Sequence, residues 1–246
     1  MENPGVILYS TENCRNCDES KVFGASRIVV YLGCFINSLR EIQMLHLETI
    51  EPKTLDLLKN LQALPLFAQT RLVGGTALAL QLGHRKSIDI DLFGSIEDLP
   101  EIIRDECSSL GSFQTSTFSK NFKMFWIDGI KVDTVNYPYA WLDECLNIDG
   151  VRLASKRDIA AMKISAIINR GTKKDFIDLY YLLKEFSLQQ ILQLYMTKYQ
   201  DGSEFIALKS LAYFEDAEAD PMPYVFEEIS WEEIKSAIRT EVMNVL

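Results

Sequence analysis

The sequence predicts an α/β (α+β) protein: a small, mixed, mostly antiparallel sheet flanked by helices, then a helical C-terminal region. Three observations predict it. Between Leu72 and Phe93 a glycine pair opens a short Ala- and Leu-rich run, which turns through Arg85 and Lys86 into an alternating stretch. Three further short segments follow between Phe113 and Val135, and Asp128-Gly129 separates the last two as a two-residue hairpin would. From Ser155 onward the chain changes to helical spacing with repeated N-cap signals.

The 246 residues suffice for one large or two small domains. Residues 1–43 hold three of the five cysteines and show no clear amphipathic period. They read as an extension outside the functional unit, with Met44 a candidate start. Cys14 and Cys17 form a Cys-x-x-Cys, but a zinc site normally needs four ligands and histidine occurs only at 46 and 84. The expected division is then residues 1–43, a core over 44–150 and a helical domain over 151–246. The longest apolar run, Ile28 to Ile36, falls well short of the roughly 20 residues of a membrane span. It lacks the flanks of a signal peptide. Cysteines without disulfide spacing point to a reducing, cytoplasmic setting.

Pro52 suits a helix start, and Leu55, Leu58 and Leu61 form an apolar stripe behind it. In the next element, Gly74 and Gly75 open a helix over Thr76 to Leu82, and Gly83 fits its left-handed C-terminal position. Free N–H groups at such a helix start attract an anion. From Ser87 to Phe93, Ser87, Asp89, Asp91 and Phe93 point one way and Ile88, Ile90 and Leu92 the other. Asp89 and Asp91 therefore share a face and can converge on one cation. A divalent metal beside a phosphate cradle is the apparatus of phosphoryl or nucleotidyl transfer. The plainer reading of Asp-x-Asp is the wet face of a half-exposed strand.

A helix from about Leu99 to Leu110 follows, with Asp98 as its cap and Glu101 three residues on. Strands are expected near Phe113–Phe118, Phe122–Ile127 and Ile130–Val135, and Asp133 lies within the last. Tyr137, Tyr139 and Trp141 make an aromatic cluster that reads first as packing and second as a stacking surface for a base. Ser155 to Asp158 and Thr172 to Asp175 both look like capping boxes. The helix after Ser155 is apolar on nearly every side except at Lys163, whose ammonium must reach water or an anion. Ile159, Lys163, Ala166 and Arg170 share one face; if it borders a cleft, Lys163 and Arg170 meet phosphates. Asp175 serves equally as a simple cap, and Asp178 as a partner for Lys174. The acidic segment Tyr213 to Pro221 reads as a structural loop against the helices.

Charge narrows the function classes. A net charge of −10 argues against indiscriminate nucleic-acid binding. Yet Arg152 to Lys174 contains seven basic residues and one acid, a strip able to hold one phosphate-rich ligand.

These motifs resemble the AbiEii/AbiGii nucleotidyltransferase toxin family of the polymerase-β-like superfamily. The residues that carry the resemblance are GGTALAL from Gly74, HRKSIDIDLF from His84, KVDTV at 131–135, AMKISAI at 161–167, RGTKKDFIDLYYLL at 170–183 and LAYFEDAEADPMP at 211–223. It spans roughly Met44 to the C-terminus. The resemblance implies a polymerase-β-like core over 44–150, with a third carboxylate, Asp133, beside Asp89 and Asp91. It implies two Mg²⁺ ions on that trio, ideally ~3.5–4 Å apart. It also implies nucleoside triphosphate binding by Gly74, Gly75 and Thr76, aided by Arg85, Ser87, Arg170 and Lys174. Lys163 and Asp175 would act at the catalytic centre. The implied activity is transfer of a nucleotide to an RNA acceptor such as tRNA, by a toxin with a cognate antitoxin. Two other readings stay open: the same chemistry on a small-molecule hydroxyl, and nucleotide binding without turnover.

Overall fold

The computed structural model describes residues 44–96 and 100–246. The expectations placed on residues 1–43, and the cap expected at Asp98, lie outside the described residues. No described helix is long and apolar enough to cross a membrane.

The chain enters through helix α1 (Pro52–Ala63), where Pro52 occupies the first turn and needs no hydrogen bond. Leu57, Leu58 and Leu61 are its buried stripe. Strand β1 (Thr70–Leu72) leads directly into α2 (Gly74–Leu82). Gly83 ends α2 in the left-handed region, its N–H on Ala79 O, as the sequence predicts. Strand β2 (Ile90–Gly94) then returns antiparallel to β1.

β2 is shorter than the alternation suggests. Ser87 to Asp89 precede the ladder and Ile88 is exposed rather than packed. The reason is local: the Ser87 N–H is taken by Thr49 O, and the Thr76 hydroxyl binds Asp89 O. Those partners hold the segment in place of a neighbouring strand.

After α3 (Pro100–Ser108) come β3 (Phe113–Phe118), β4 (Phe122–Ile127) and β5 (Ile130–Asn136), close to their expected limits. Asp128 and Gly129 turn between β4 and β5 at φ 50 and 79. A pair of left-handed residues matches the twist of the flanking strands. A second hairpin, β6 (Leu146–Ile148) and β7 (Val151–Leu153), turns through Asp149-Gly150. Strands of three residues are too short to display a period, so the sequence reading misses them. This hairpin also straddles residue 150, the expected domain boundary, and β7 joins the sheet beside β1.

The described sheet has seven strands in the order β3-β4-β5-β2-β1-β7-β6. The pairs β2–β5 and β1–β7 are parallel and the others antiparallel. Leu72, Ile90, Leu92 and Val132 are fully buried in it.

The helical part consists of α4 (Lys156–Asn169), α5 (Lys173–Leu182), α6 (Leu188–Lys198), α7 (Glu204–Leu211), the single turn α8 (Glu215–Glu218) and α9 (Trp231–Val245). Ile159, Ile164 and Phe176 are fully buried there, in one core with the sheet. Neither capping box expected near this point forms. Ser155 does cap α4 and its hydroxyl donates to Asp158, but the Asp158 carboxylate accepts from the N–H groups of Leu142 and Asp143 rather than from that of Ser155. Thr172 makes no cap; its hydroxyl donates to Asp175 instead. Complete boxes occur at Ser187 with Gln190 and Ser230 with Glu233. The acidic segment packs on the helices as expected, and Asp220 accepts the Lys173 N–H at the start of α5 (2.9 Å). Beyond it, the Phe226 N–H binds His84 O and the Lys86 N–H binds Tyr224 O, so the tail braces the turn after α2.

Candidate active site

A cleft of about 570 Å³ runs over one face of β2 and β5 and under α4 and the start of α5. Its floor follows from strand register. β2 and β5 are parallel with Asp91 directly beside Asp133, so both carboxylates leave the same face. Asp89, two residues before Asp91, joins them in the lining. The floor is thus three carboxylates with an apolar strand face behind them.

The consequence shows in their electrostatics. Burial, reinforced by Asp133 and Asp89, pushes the Asp91 carboxyl up to about 6. Asp133 Oδ1 is buried without a hydrogen-bond partner. Its other oxygen, Oδ2, takes the Lys131 ammonium, and Lys174 approaches Asp89 at 3.8 Å. Among the described residues no three of His, Cys, Asp and Glu gather closely enough to make a ready-formed metal cluster. The donor set itself consists of hard oxygens with one unsatisfied, and it fits a hard divalent cation.

The start of α2 closes one end of the floor. Gly74 sits at φ 70, and a Cβ there would stand 2.4 Å from Asp91 Oδ2. Glycine is required both for the backbone and for the space. No side chain caps this helix start, so its N–H groups remain open to an anion. Gly75 is as tightly set, against the Arg85 guanidinium. Ser87 also lines this end. Thr76 does not: it is buried, with its hydroxyl between Ser87 and Asp89. It anchors the aspartate segment rather than facing a ligand.

The opposite wall is a buried ionic network. Lys163 lies 3.0 Å from Asp175 and 2.6 Å from Asp178. Arg170 donates twice to Asp175 (2.9 and 3.0 Å), and Thr172 adds a third bond. Arg85 grips Asp178 through Nε and Nη2 (2.6 and 3.0 Å). His84 Nε2 lies 2.8 Å from the same carboxylate, and burial lowers the histidine pKa, so the ring is neutral and donates. Burial works against charge on Asp175 and Asp178. Lys163 with Arg170, and Arg85 with Lys163, outweigh it and hold both far below the usual carboxylate range. For Lys163, burial favours the neutral amine, but Asp178 and Asp175 keep it charged.

The structure thus brings Asp89, Asp91, Asp133, Lys163, Asp175, Gly74, Gly75, Arg85, Ser87, Arg170 and Lys174 to one cleft. It places several differently from a free-standing charge. Lys163 is embedded between two aspartates, and Asp178 pairs with Lys163, Arg85 and His84 rather than with Lys174. His84 is the participant the sequence reading passes over, and Asp178 the one it pairs with the wrong cation. The signal of His84 is faint, since a histidine beside an arginine in a turn has no period. The basic strip dissolves as well. Arg152 donates to Gln62 O, Phe67 O and Thr70 O, Lys156 pairs with Glu185, Arg157 with Asp143, and Lys173 binds the 218–220 turn. Of the strip, Arg170 and Lys174 stay largely exposed at the cleft.

Comparisons with known proteins identify the family and the fold. The family described as nucleotidyl transferase AbiEii toxin, type IV TA system, matches residues 56–244. An uncharacterised protein of Aquifex aeolicus (strain VF5) is 38% identical over 184 residues, covering 71% of this chain and 87% of that protein. JHP933 from Helicobacter pylori shares the fold at a TM-score of 0.51, with 17% identity over 80% of this chain and 93% of its own. A second H. pylori protein, provisionally assigned as a nucleotidyltransferase, superposes at 0.53 with 18% identity over 78% and 91% of the two chains. With carboxylates in register over an uncapped glycine helix start, and a family match over most of its length, the chain belongs to the AbiEii nucleotidyltransferase toxin family and is a transferase.

Proposed function

We propose that this transferase moves a nucleotide from a nucleoside triphosphate to a hydroxyl of an RNA acceptor such as tRNA, and that Asp89, Asp91 and Asp133 hold its divalent metal, Mg²⁺ in the two-ion arrangement. The observation that carries this reading is the register of Asp91 with Asp133 on parallel strands, facing an open helix start across one cleft. Bound there, the metal would offset the carboxylate charge and supply Lewis-acid polarisation of a phosphate oxygen. The chain's own residues do the rest. The N–H groups at Gly74 and Gly75 bind the β- and γ-phosphates. Arg170 and Lys174 balance the charge of the departing pyrophosphate. The acceptor oxygen attacks the α-phosphorus, the bond to pyrophosphate breaks, and a floor carboxylate takes the hydroxyl proton.

Lys163, with Asp175 and Asp178, supports this site by holding Arg170 and Arg85 at its edge. The catalytic unit is taken to begin at Met44. A proteinaceous antitoxin in the same cytoplasm is the partner that fits a toxin of this family. A second reading, a small hydroxyl-bearing acceptor, draws on one observation: most of the basic strip is engaged internally and the net charge is −10. Incubation with each α-labelled nucleoside triphosphate and Mg²⁺, offered total tRNA or aminoglycoside-type polyols, tests both. Label on tRNA supports the RNA acceptor, and label on the polyol alone replaces it with the second reading. No transfer to either, from protein shown to be folded, overturns the proposal.

A further inference from the structure

We infer that the aromatic wall at the far end of the cleft, centred on Tyr139, receives the base of the incoming nucleotide, and that the buried pair Asp158–Lys198 sets the position of this wall. The inference rests on the nucleotidyl-transfer reading and adds to it the base subsite and two positioning residues.

The cleft has a direction. Ser87, Asp89, Asp91 and Phe93 all line it. Asp91 lies beside Val73 and Gly74, at the helix start, whereas Phe93 pairs with Arg71, further from the glycines along β1. Phe93 lies two residues beyond Asp91 on the same strand face, about 7 Å along β2. That is the span of a ribose between a phosphate and its base. β5 delivers its own aromatic at the same level: Tyr137 follows the strand, with its N–H on Gly94 O (2.9 Å) and its ring 5.3 Å from Phe93. Polar groups thus occupy the glycine end and rings occupy the other.

Tyr139 is the ring most open to this space. It packs at 5.3 Å on Tyr137 and edge-on at 4.7 Å on Tyr199, yet it remains 40% exposed. Its two supporting rings are themselves locked, Tyr137 OH to Tyr199 OH at 2.9 Å. A ring held by neighbours and open to a cleft is a pre-organised stacking surface.

The segment that carries Tyr139 belongs to no helix or strand between β5 and β6. It is fixed by charge instead. Lys198 Nζ is fully buried and binds Asp158 Oδ1 (2.7 Å) and Ala140 O (2.9 Å), beneath the rings of Trp141 (4.7 Å) and Tyr137 (5.1 Å). Asp158 accepts in turn from the N–H groups of Leu142 and Asp143. A buried ion pair contributes little net stability over a well-packed apolar pair. What this one does is tie residues 140–143 to α4 and α6, directly behind Tyr139.

The test is equilibrium binding by calorimetry, with Mg²⁺ and no acceptor, comparing a nucleoside triphosphate with inorganic tripolyphosphate. Tyr139→Ala is expected to weaken the nucleotide about tenfold, within the range of base–aromatic stacking. It should leave tripolyphosphate unchanged, and Tyr139→Trp should restore the nucleotide. Lys198→Met, checked for folding by circular dichroism, should weaken the nucleotide and spare tripolyphosphate in the same titrations, and in a separate transfer assay should raise KM for the nucleotide without lowering kcat. Equal losses for both ligands would mark Lys198 as merely structural and overturn its positioning role. Unchanged nucleotide affinity in Tyr139→Ala, with tripolyphosphate still bound, overturns the base subsite and leaves the phosphate site standing. Failure of the wild-type protein to bind either ligand overturns both.

Discussion

The two walls of the cleft use the same side chain to opposite ends. On the sheet side, Asp91 sits among carboxylates and its pKa is pushed up to about 6. On the helix side, Asp175 and Asp178 are at least as deeply buried, yet are held far below the ordinary range. The difference is partners, not burial. Three cations and a neutral histidine surround the helix-side pair. The floor carboxylates face one another, and one oxygen has no partner. A group that is under-compensated in the folded chain is placed to bind something from outside. A fully compensated group is placed to hold the fold. On the function proposed above, the first wall is the reactive one and the second its scaffold.

The largest expected effect sharpens this contrast directly. Asp133→Asn, like Asp89→Ala and Asp91→Ala, is expected to reduce nucleotide transfer by about a thousandfold, the scale of several kcal/mol of metal-linked stabilisation. The fold should be unaffected, since removing a charge from this floor relieves repulsion. Steady-state transfer at saturating Mg²⁺ checks it, and near-normal activity in Asp133→Asn would end the assignment of the floor as the metal site.

The helix side should answer the opposite way. Lys163→Met leaves Asp175 and Asp178 short of a buried cation and is expected to destabilise the protein by about 3–5 kcal/mol. Urea denaturation reads this as a lower midpoint at constant slope. An unchanged midpoint would show that the network does not depend on Lys163 and would remove the contrast between the walls.

The smallest effect is in pH. Asp91 has a folded pKa of about 6, above its unfolded value of 3.8. Below pH 3.8 it is protonated in both states and its ionisation has no effect. As pH rises from about 4 to 6 the unfolded chain releases the proton first, so stability falls. The paired Asp175 and Asp178 behave in reverse: their contribution is present above the unfolded pKa and is lost as pH falls below it. In metal-free buffer, Asp91→Asn should therefore gain on wild type between pH 4 and 6, by on the order of 1–2 kcal/mol once screening by cleft water is allowed for. Melting temperatures of the two proteins across that range decide it, and parallel curves would mean that Asp91 is not held in an unfavourable charge environment.

Much of this was legible in the chain itself. Local rules placed α1, α2 and the strands from Phe113 to Asn136 because each depends on neighbours in sequence: a proline in a first turn, a left-handed glycine, an Asp-Gly hairpin. The same rules put Asp89 and Asp91 on one face. What only the tertiary structure decided is which charges find each other. Lys163 and Asp175 are twelve residues apart, Arg85 and Asp178 ninety-three, and Asp158 and Lys198 forty. No period or motif encodes such pairings, because a buried charge takes whichever partner the packed helices bring within reach. For that reason the basic strip, continuous in sequence, dissolved into separate struts. The meeting of Asp91 with Asp133 is implied by the family resemblance but by no local rule, and strand register brings it about.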